Sequence, residues 1–506
     1  MKTKLFISAL LVFLSAQMLF GQQSTRGKKK TPEQNLPTQM LSKQQSDTIL
    51  LDNTRMEPEW VTAFPSGASS LAGGIISLDN QGNIYLFNNG NITKCDPKGT
   101  MVWQTNTILS IKHISGYDLS ETERRNYAQN IVLDHQGNLF VLANIPYGGT
   151  CRVYSADSTY IDYTITSNSV AFIKYDTNGM MQKTYWYSVV GNSANLGHIS
   201  IDKNGNFYLA GWYARSTKYP PGGGIYSNVT DDNKAHPGIG YCLMKINNNM
   251  EKEWVQLGEL SGRYSVAAIT TDSNDNVYIA GHVTDTVKIG ENYFSTSSHY
   301  HRKSIVIKFD NNGNLIWASD FSREEYGDSR FRIQKIAADT KGNSYLAENE
   351  NGGNTSSLSK ITPDGKIEWR ILVFCPKSRN YGKYYSQSYS YFFENIVTDE
   401  NDNVYFAGQG YQNIFSFPNK KTYKLDANLF VGSFNSEGEL RFLKAGGGEG
   451  GGRCRSIAIH ENNLFVLAGY RGIVRFGTIT LVDKGKNKDD YSVWLAKYDL
   501  KKIYKK

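Results

Sequence analysis

The chain offers few groupings that could make or break bonds. His299-Tyr300-His301 places two imidazoles on one side of an extended segment, a metal-ligand spacing, but no third ligand accompanies them. No G-x-S-x-G, H-E-x-x-H or phosphate-cradling Gly-Lys-Ser/Thr occurs. The run Gly446-Gly447-Gly448-Glu449-Gly450-Gly451-Gly452 reads as a connector, because it does not join a strand to a helix. The remaining chemistry is recognition. Trp212, Tyr213 and Arg215 stand together, and Tyr219, Tyr226, Tyr293, Tyr381, Tyr384, Tyr385, Tyr389 and Tyr391 continue the theme. Such side chains stack on sugars and anchor interfaces, with a large rigid area and a polar end. With them we group His198, His282, Arg323, Arg330, Tyr411 and Arg471 as ligand-binding candidates. An enzyme acting on polysaccharide, a lyase or glycosidase, would draw on His198, His282 and Arg323, and needs an acid/base pair within reach of one substrate position. No catalytic residue, metal or cofactor is assigned.

The elements that position these residues follow from one recurring phrase. It reads IISLDNQGNIYLF, IVLDHQGNLFVLA, ISIDKNGNFYLAG, ITTDSNDNVYIAG, IAADTKGNSYLAE, IVTDENDNVYFAG and IAIHENNLFVLAG, anchored at Asp79, Asp134, Asp202, Asp272, Asp339, Asp399 and His460. Three positions before each anchor stands Ile: Ile76, Ile131, Ile199, Ile269, Ile336, Ile396 and Ile457. A β-branched residue kept at one place in every copy is a packing position. The phrase is strand, tight turn, strand, with Asp opening the turn and Gly-Asn or Asp-Asn supplying the residues that tolerate φ > 0. Each turn brings one carboxylate and one amide, far short of a calcium cage.

A second phrase follows each first one, among them TKCDPKGTMVW, IKYDTNGMMQKTYW, MKINNNMEKEW, IKFDNNGNLIW and SKITPDGKIEW, with Trp103, Trp186, Trp254, Trp317, Trp369 or Phe442 in its outer strand. Seven units of four antiparallel strands describe an all-β fold, a seven-bladed β-propeller. An orphan outer-strand phrase, Glu57 to Phe64 with Trp60, precedes the first unit and is expected to close the ring as the fourth strand of the last blade; the tail Leu500 to Lys506 competes for that place. These repeats resemble the seven-bladed propeller proteins with D-x-x-G-N-x-Y units found among secreted bacterial proteins, particularly of the Bacteroidetes type. The resemblance covers about 57–500. It implies the fold and no enzymatic residue.

The connections divide into two sets. Those inside the two phrases are short and uniform; the others, 105–128, 144–169, 212–239, 282–303, 319–333, 371–393, 409–427 and 444–454, hold the length variation and fall on one face. Variable loops on a rigid scaffold usually carry binding. That face is expected to recognise a protein or glycan, the protein acting as a non-catalytic binding or scaffold component.

Residues 1–21 read as a signal peptide, with Lys2 and Lys4 before an apolar run, 22–53 as a flexible polar leader, and 54–506 as the propeller. Export follows, to the periplasm, the cell surface or the medium, as a monomer or a subunit of an envelope assembly. The net charge of +8 comes from the two basic ends, which argues against nucleic acid, and no later segment is apolar enough to span a membrane. Five widely spaced Cys give neither a disulfide framework nor a zinc site. Cys95 and Cys242 are expected at equivalent buried strand positions.

Overall fold

The computed structural model describes residues 48–50, 56–64, 74–88, 90–112, 128–145, 150–165, 169–188, 193–214, 239–259, 262–297, 301–322, 331–350, 355–374, 393–409, 413–416, 422–425, 429–447, 453–470, 472–482 and 492–504. They are nearly all β, arranged as a propeller. The first unit pairs Ile75–Leu78, Ile84–Asn88, Asn91–Cys95 and Met101–Asn106 in sequence order, all antiparallel. The same order recurs in the units whose first strands are Ala128–Leu133, Ser193–Ile201, Arg263–Thr271, Phe331–Ala338 and Phe393–Thr398, while the unit beginning at Arg453–His460 continues with Asn463–Tyr470 and Ser492–Asp499 in that order. Each first strand packs against the first strand of the next unit, and Arg453–His460 packs against Ile75–Leu78. Among the described residues no helix is long and apolar enough to cross a membrane.

The D-x-x-G-N-x-Y phrase is a closed hydrogen-bond cycle. In the fourth unit Asp272 Oδ1 accepts from the backbone N–H of Asn274 and Asn276 (2.9 and 3.0 Å), and its Oδ2 accepts from Asn276 Nδ2 and the Tyr278 hydroxyl (2.9 and 3.0 Å). Tyr208, Tyr345 and Tyr405 bond Asp202, Asp339 and Asp399 in the same way. The carboxylates are nearly buried, so their lone pairs must be satisfied internally, and the turn does this. Each Asp is therefore committed to its own turn.

The second phrase joins one unit to the next. In the first unit Lys94 Nζ and Trp103 Nε1 both donate to the carbonyl of Thr177, in the outer turn of the second unit (2.8 and 3.1 Å). Lys245 and Trp254 do the same to Asn311, Lys308 and Trp317 to Pro363, and Lys360 and Trp369 to Ser436. The Trp ring lies on the glycine of that turn: a Cβ at Gly179 would stand 2.9 Å from Trp103. Gly179 also has φ +77°, so it is required twice over.

Trp60–Phe64 pairs antiparallel with Ser492–Asp499, Trp60 opposite Lys497, and Trp60 lies over Gly99 of the first unit as Trp103 lies over Gly179. Leu500–Tyr504, the competing tail, is a short helix.

Apolar side chains from facing units fill the seams between them; Phe140 and Phe172 of the second unit, for example, meet Phe207 of the third at 4.7 to 5.0 Å. Three of the connections read as loops contain two-stranded hairpins, Thr150–Tyr154 with Tyr160–Thr164, Thr286–Ile289 with Asn292–Ser295, and Asn413–Ser416 with Thr422–Leu425, and a fourth hairpin, Ile473–Phe476 with Ile479–Val482, stands in the last unit outside those connections. Each leans back on the preceding unit. The first pairs with Ile108–Lys112 and the third with Ile367–Phe374, while Val287 and Phe294 pack with Tyr241 and Leu243, and Val474 packs with Leu429. Blades that radiate from an axis diverge outward, and these hairpins fill the widening gap. Cys95 and Cys242 are fully buried as expected, but not at equivalent positions: Cys95 faces Ile84 across the sheet, whereas Cys242 faces Gly211, four places from the counterpart of Ile84.

Candidate binding site in the seam between the fourth and fifth units

The sequence candidates divide by what their polar atoms do. His282 is buried, and its Nε2 accepts the backbone N–H of Ile333 in the fifth unit at 2.8 Å. Its neutral ring therefore carries the proton on Nδ1. Asn144 and Asn349 occupy the same place in the second and fifth units and clasp the next unit too: Asn144 bonds Leu196 N and O, and Asn349 bonds Phe393 N and O. His282 is thus a clasp between units. Burial, with Arg302 and Arg332 adding to it, holds its pKa down to about 3.

His198 follows a bulge in the third unit's first strand. Burial, then the charge of Lys335, lowers it to about 4, against a hydrogen bond to the Val266 backbone. Asn130 and Ser456, next to the bulges of their own first strands, also reach the following unit, at Gly197 O and Ile76 N. Tyr213 is buried, its hydroxyl donating to Gly258 O at 2.6 Å, while its neighbour Trp212 is half-buried. Arg215, Arg323, Arg330, Tyr411 and Arg471 lie outside the described residues, as do His299 and Tyr300; His301 Nδ1 lies 2.9 Å from the Ser297 hydroxyl. Among the described residues no three His, Cys, Asp or Glu are grouped to hold a metal ion.

One seam breaks the pattern. At the second-strand position facing the preceding unit the repeats carry Asn88, Ala143, Gly211, Gly281, Glu348, Gly408 and Ala468. Opposite it on the third strand stand Ala171, Cys242, Ile305, Phe430 and Trp494 in five units, but Ser357 opposite Glu348. The fifth unit reverses the usual small-against-large pairing, which conserves volume while changing chemistry. Glu348 is 1 % exposed, and Ser357 donates to its Oε2 at 3.2 Å. An ionisable group so placed is rare without a purpose.

Its surroundings are polar as well. Ser359 lies on the same side of the third strand and accepts from Arg370 Nε at 2.8 Å, while Arg370 Nη2 donates to Phe321 O of the fourth unit at 3.0 Å. Across the seam Ser304, the register partner of His282, is fully buried, and its hydroxyl has no hydrogen-bond partner among the described residues. Arg302 precedes Ser304 by two residues, and Arg332 precedes the Ile333 that His282 clasps. Burial and the nearby Arg332 push the Arg302 guanidinium down. Four residues separate the second and third strands of the fifth unit, too few for a hairpin like those leaning on four other seams. A buried carboxylate, an orphaned hydroxyl and an imidazole thus lie along one seam, while Arg332, opposite Asn349 in the register, stands on the side toward the sixth unit.

No protein-family model matches the chain, and no curated protein matches it. Solved structures similar to it include selenomethionine-substituted virginiamycin B lyase from Staphylococcus aureus, 9% identical over 86% of this chain and 99% of that one with a TM-score of 0.41. The Pan2 WD40 domain of Neurospora crassa is 8% identical over 88% and 97%, also at 0.41. A protein of unknown function from Bacteroides caccae is 12% identical over 59% and 78%, at 0.30.

Proposed function

We propose that this chain is an exported, non-catalytic binding propeller of seven four-stranded blades, with Trp60–Phe64 as the last strand of the last blade and a loop face that recognises a protein or glycan. The observation that carries the binding role is the seam between the fourth and fifth units. Its side chains are polar where the repeat calls for apolar ones, while the histidines that could move protons are held below the neutral range, His282 with its Nε2 already committed to a backbone bond. The pairing of Trp60–Phe64 with Ser492–Asp499 and the packing of Arg453–His460 on Ile75–Leu78 support a closed ring. Export rests on the apolar run after Lys4, and N-terminal sequencing of protein recovered from the medium or envelope should begin at Gln22. A chain that retains Met1 would contradict it.

The recognition site is tested on an array of glycans and envelope proteins, with Glu348→Ala beside the wild type and circular dichroism to show that both are folded. Retention of a discrete set of ligands that the variant loses is the expected result. Equal retention by both would remove the seam from the binding face.

A further inference from the structure

Resting on the ring proposed above, we infer that its central channel binds a small anion, a carboxylate or a phosphate, on the ammonium of Lys335, opposite His198. The first strands are the innermost of their units, and each packs against the next around the axis. Six of the seven carry a bulge at one register, immediately before Asn130, His198, Ala268, Lys335, Asn395 and Ser456. Bulges re-aim the side chains beside them. Three of these side chains bond the following first strand: Asn130 donates to Gly197 O, Ser456 accepts from Ile76 N, and His198 bonds the Val266 backbone. Lys335 departs from them, for its ammonium has neither a hydrogen bond nor an ion pair among the described residues. A cation enclosed without a counter-charge is costly, and burial holds this one below the ordinary lysine value. Its charge reaches His198 in the third unit. Because the fourth unit's first strand stands between theirs, that field crosses the channel. The wall favours anions as a whole: the seven first strands carry Arg263, Arg332, Lys335, Arg453 and Arg455 against Glu394 alone. Solvent has access, since His198 and Lys335 are half-buried and Lys335 Nζ, unlike the Ser304 hydroxyl, is not sealed. An anion there gives the ammonium the charge-assisted bonds it lacks. A neutral ligand leaves its charge unanswered.

Calorimetric titration of the full folded chain with phosphate, succinate and neutral succinamide, at one ionic strength, tests this. One or both anions should bind once per chain and succinamide should not, and which anion binds distinguishes phosphate from carboxylate. Lys335→Asn copies Asn130 and Asn395 at the same place, so it should fold, and it should weaken binding at least about tenfold. Lys366→Asn, exposed beside the fifth unit's outer turn, should leave binding unchanged. Reductive methylation with peptide mass mapping reads the wild type directly, and the bound anion should protect Lys335. No binding by either anion, equal binding of succinamide, equal binding by Lys335→Asn, or labelling of Lys335 that the anion leaves unchanged would each overturn the assignment. If an anion binds through Lys335 while array retention ignores Glu348→Ala, the channel site stands and the seam falls. If the array shows that loss and no anion binds, the seam stands and the channel site falls.

Discussion

At His282 the pattern of clasps yields a sharp test. The imidazole accepts one bond from Ile333, while Asn349 at the equivalent place both accepts from and donates to its target, so Asn is a natural substitute. The folded ring is held near 3 against 6.5 for a free one, so the folded state binds fewer protons below pH 6.5. Stability on this account is whole above 6.5 and lost as pH falls from there toward 3, and His198, held near 4, adds to the loss. His282→Asn should keep the melting temperature at pH 7 and flatten its decline between pH 6.5 and 4; an unchanged decline would show that His282 does not titrate on unfolding. His282→Ala should lower the melting temperature at every pH, because the buried N–H of Ile333 is left without its acceptor. Sequence alone singles out His282 as a ligand-binding candidate, but its clasp is not legible there, since nothing in a linear chain shows that it lies opposite Ile333.

Among the elements, the two turns were legible because their demands are local. Asp, Gly and Asn at fixed offsets need no distant partner to explain them. The third-strand lysines carry no local signal, as their role depends on a carbonyl in the next unit, 83 residues on for Lys94. Three of the hairpins read as loops because their strands are only four or five residues long. Glu348 was hidden because, with Asn88, it departs from the Gly and Ala of the other units only at a position that the register identifies. A substitution pair separates the two reasons for turn glycines. Gly472 has φ +70°, and a Cβ added there would meet no atom within 4 Å, so Gly472→Ala should cost about 1 kcal/mol. Gly179→Ala adds a clash with Trp103 and Ala156 and should cost roughly 2 kcal/mol or more beyond that. Equal losses in urea unfolding would dismiss the ring-on-glycine contact.

For the whole molecule, the outer edge of Ser492–Asp499 is covered by Trp60–Phe64, and uncovered edges invite aggregation. A chain starting at Ile49 should melt like the full-length protein, whereas one starting at Pro65 should melt lower and aggregate on sizing columns. Identical behaviour would argue against the proposed closure. The Asn and His clasps and the Lys and Trp pairs also share a direction: Asn144, His282, Asn349 and those pairs reach forward to the next unit, although Arg370 reaches back to Phe321. Joints of this kind are head-to-tail, and they close into a ring only when each step turns by the right fraction of a circle. On the proposed closure the chain is in effect a cyclic oligomer whose subunits are covalently linked. Cutting it in a connection between units, away from the outer turns that accept the Lys and Trp bonds, and fusing the old termini through a linker would leave those joints in place, which makes the fold a natural subject for circular permutation.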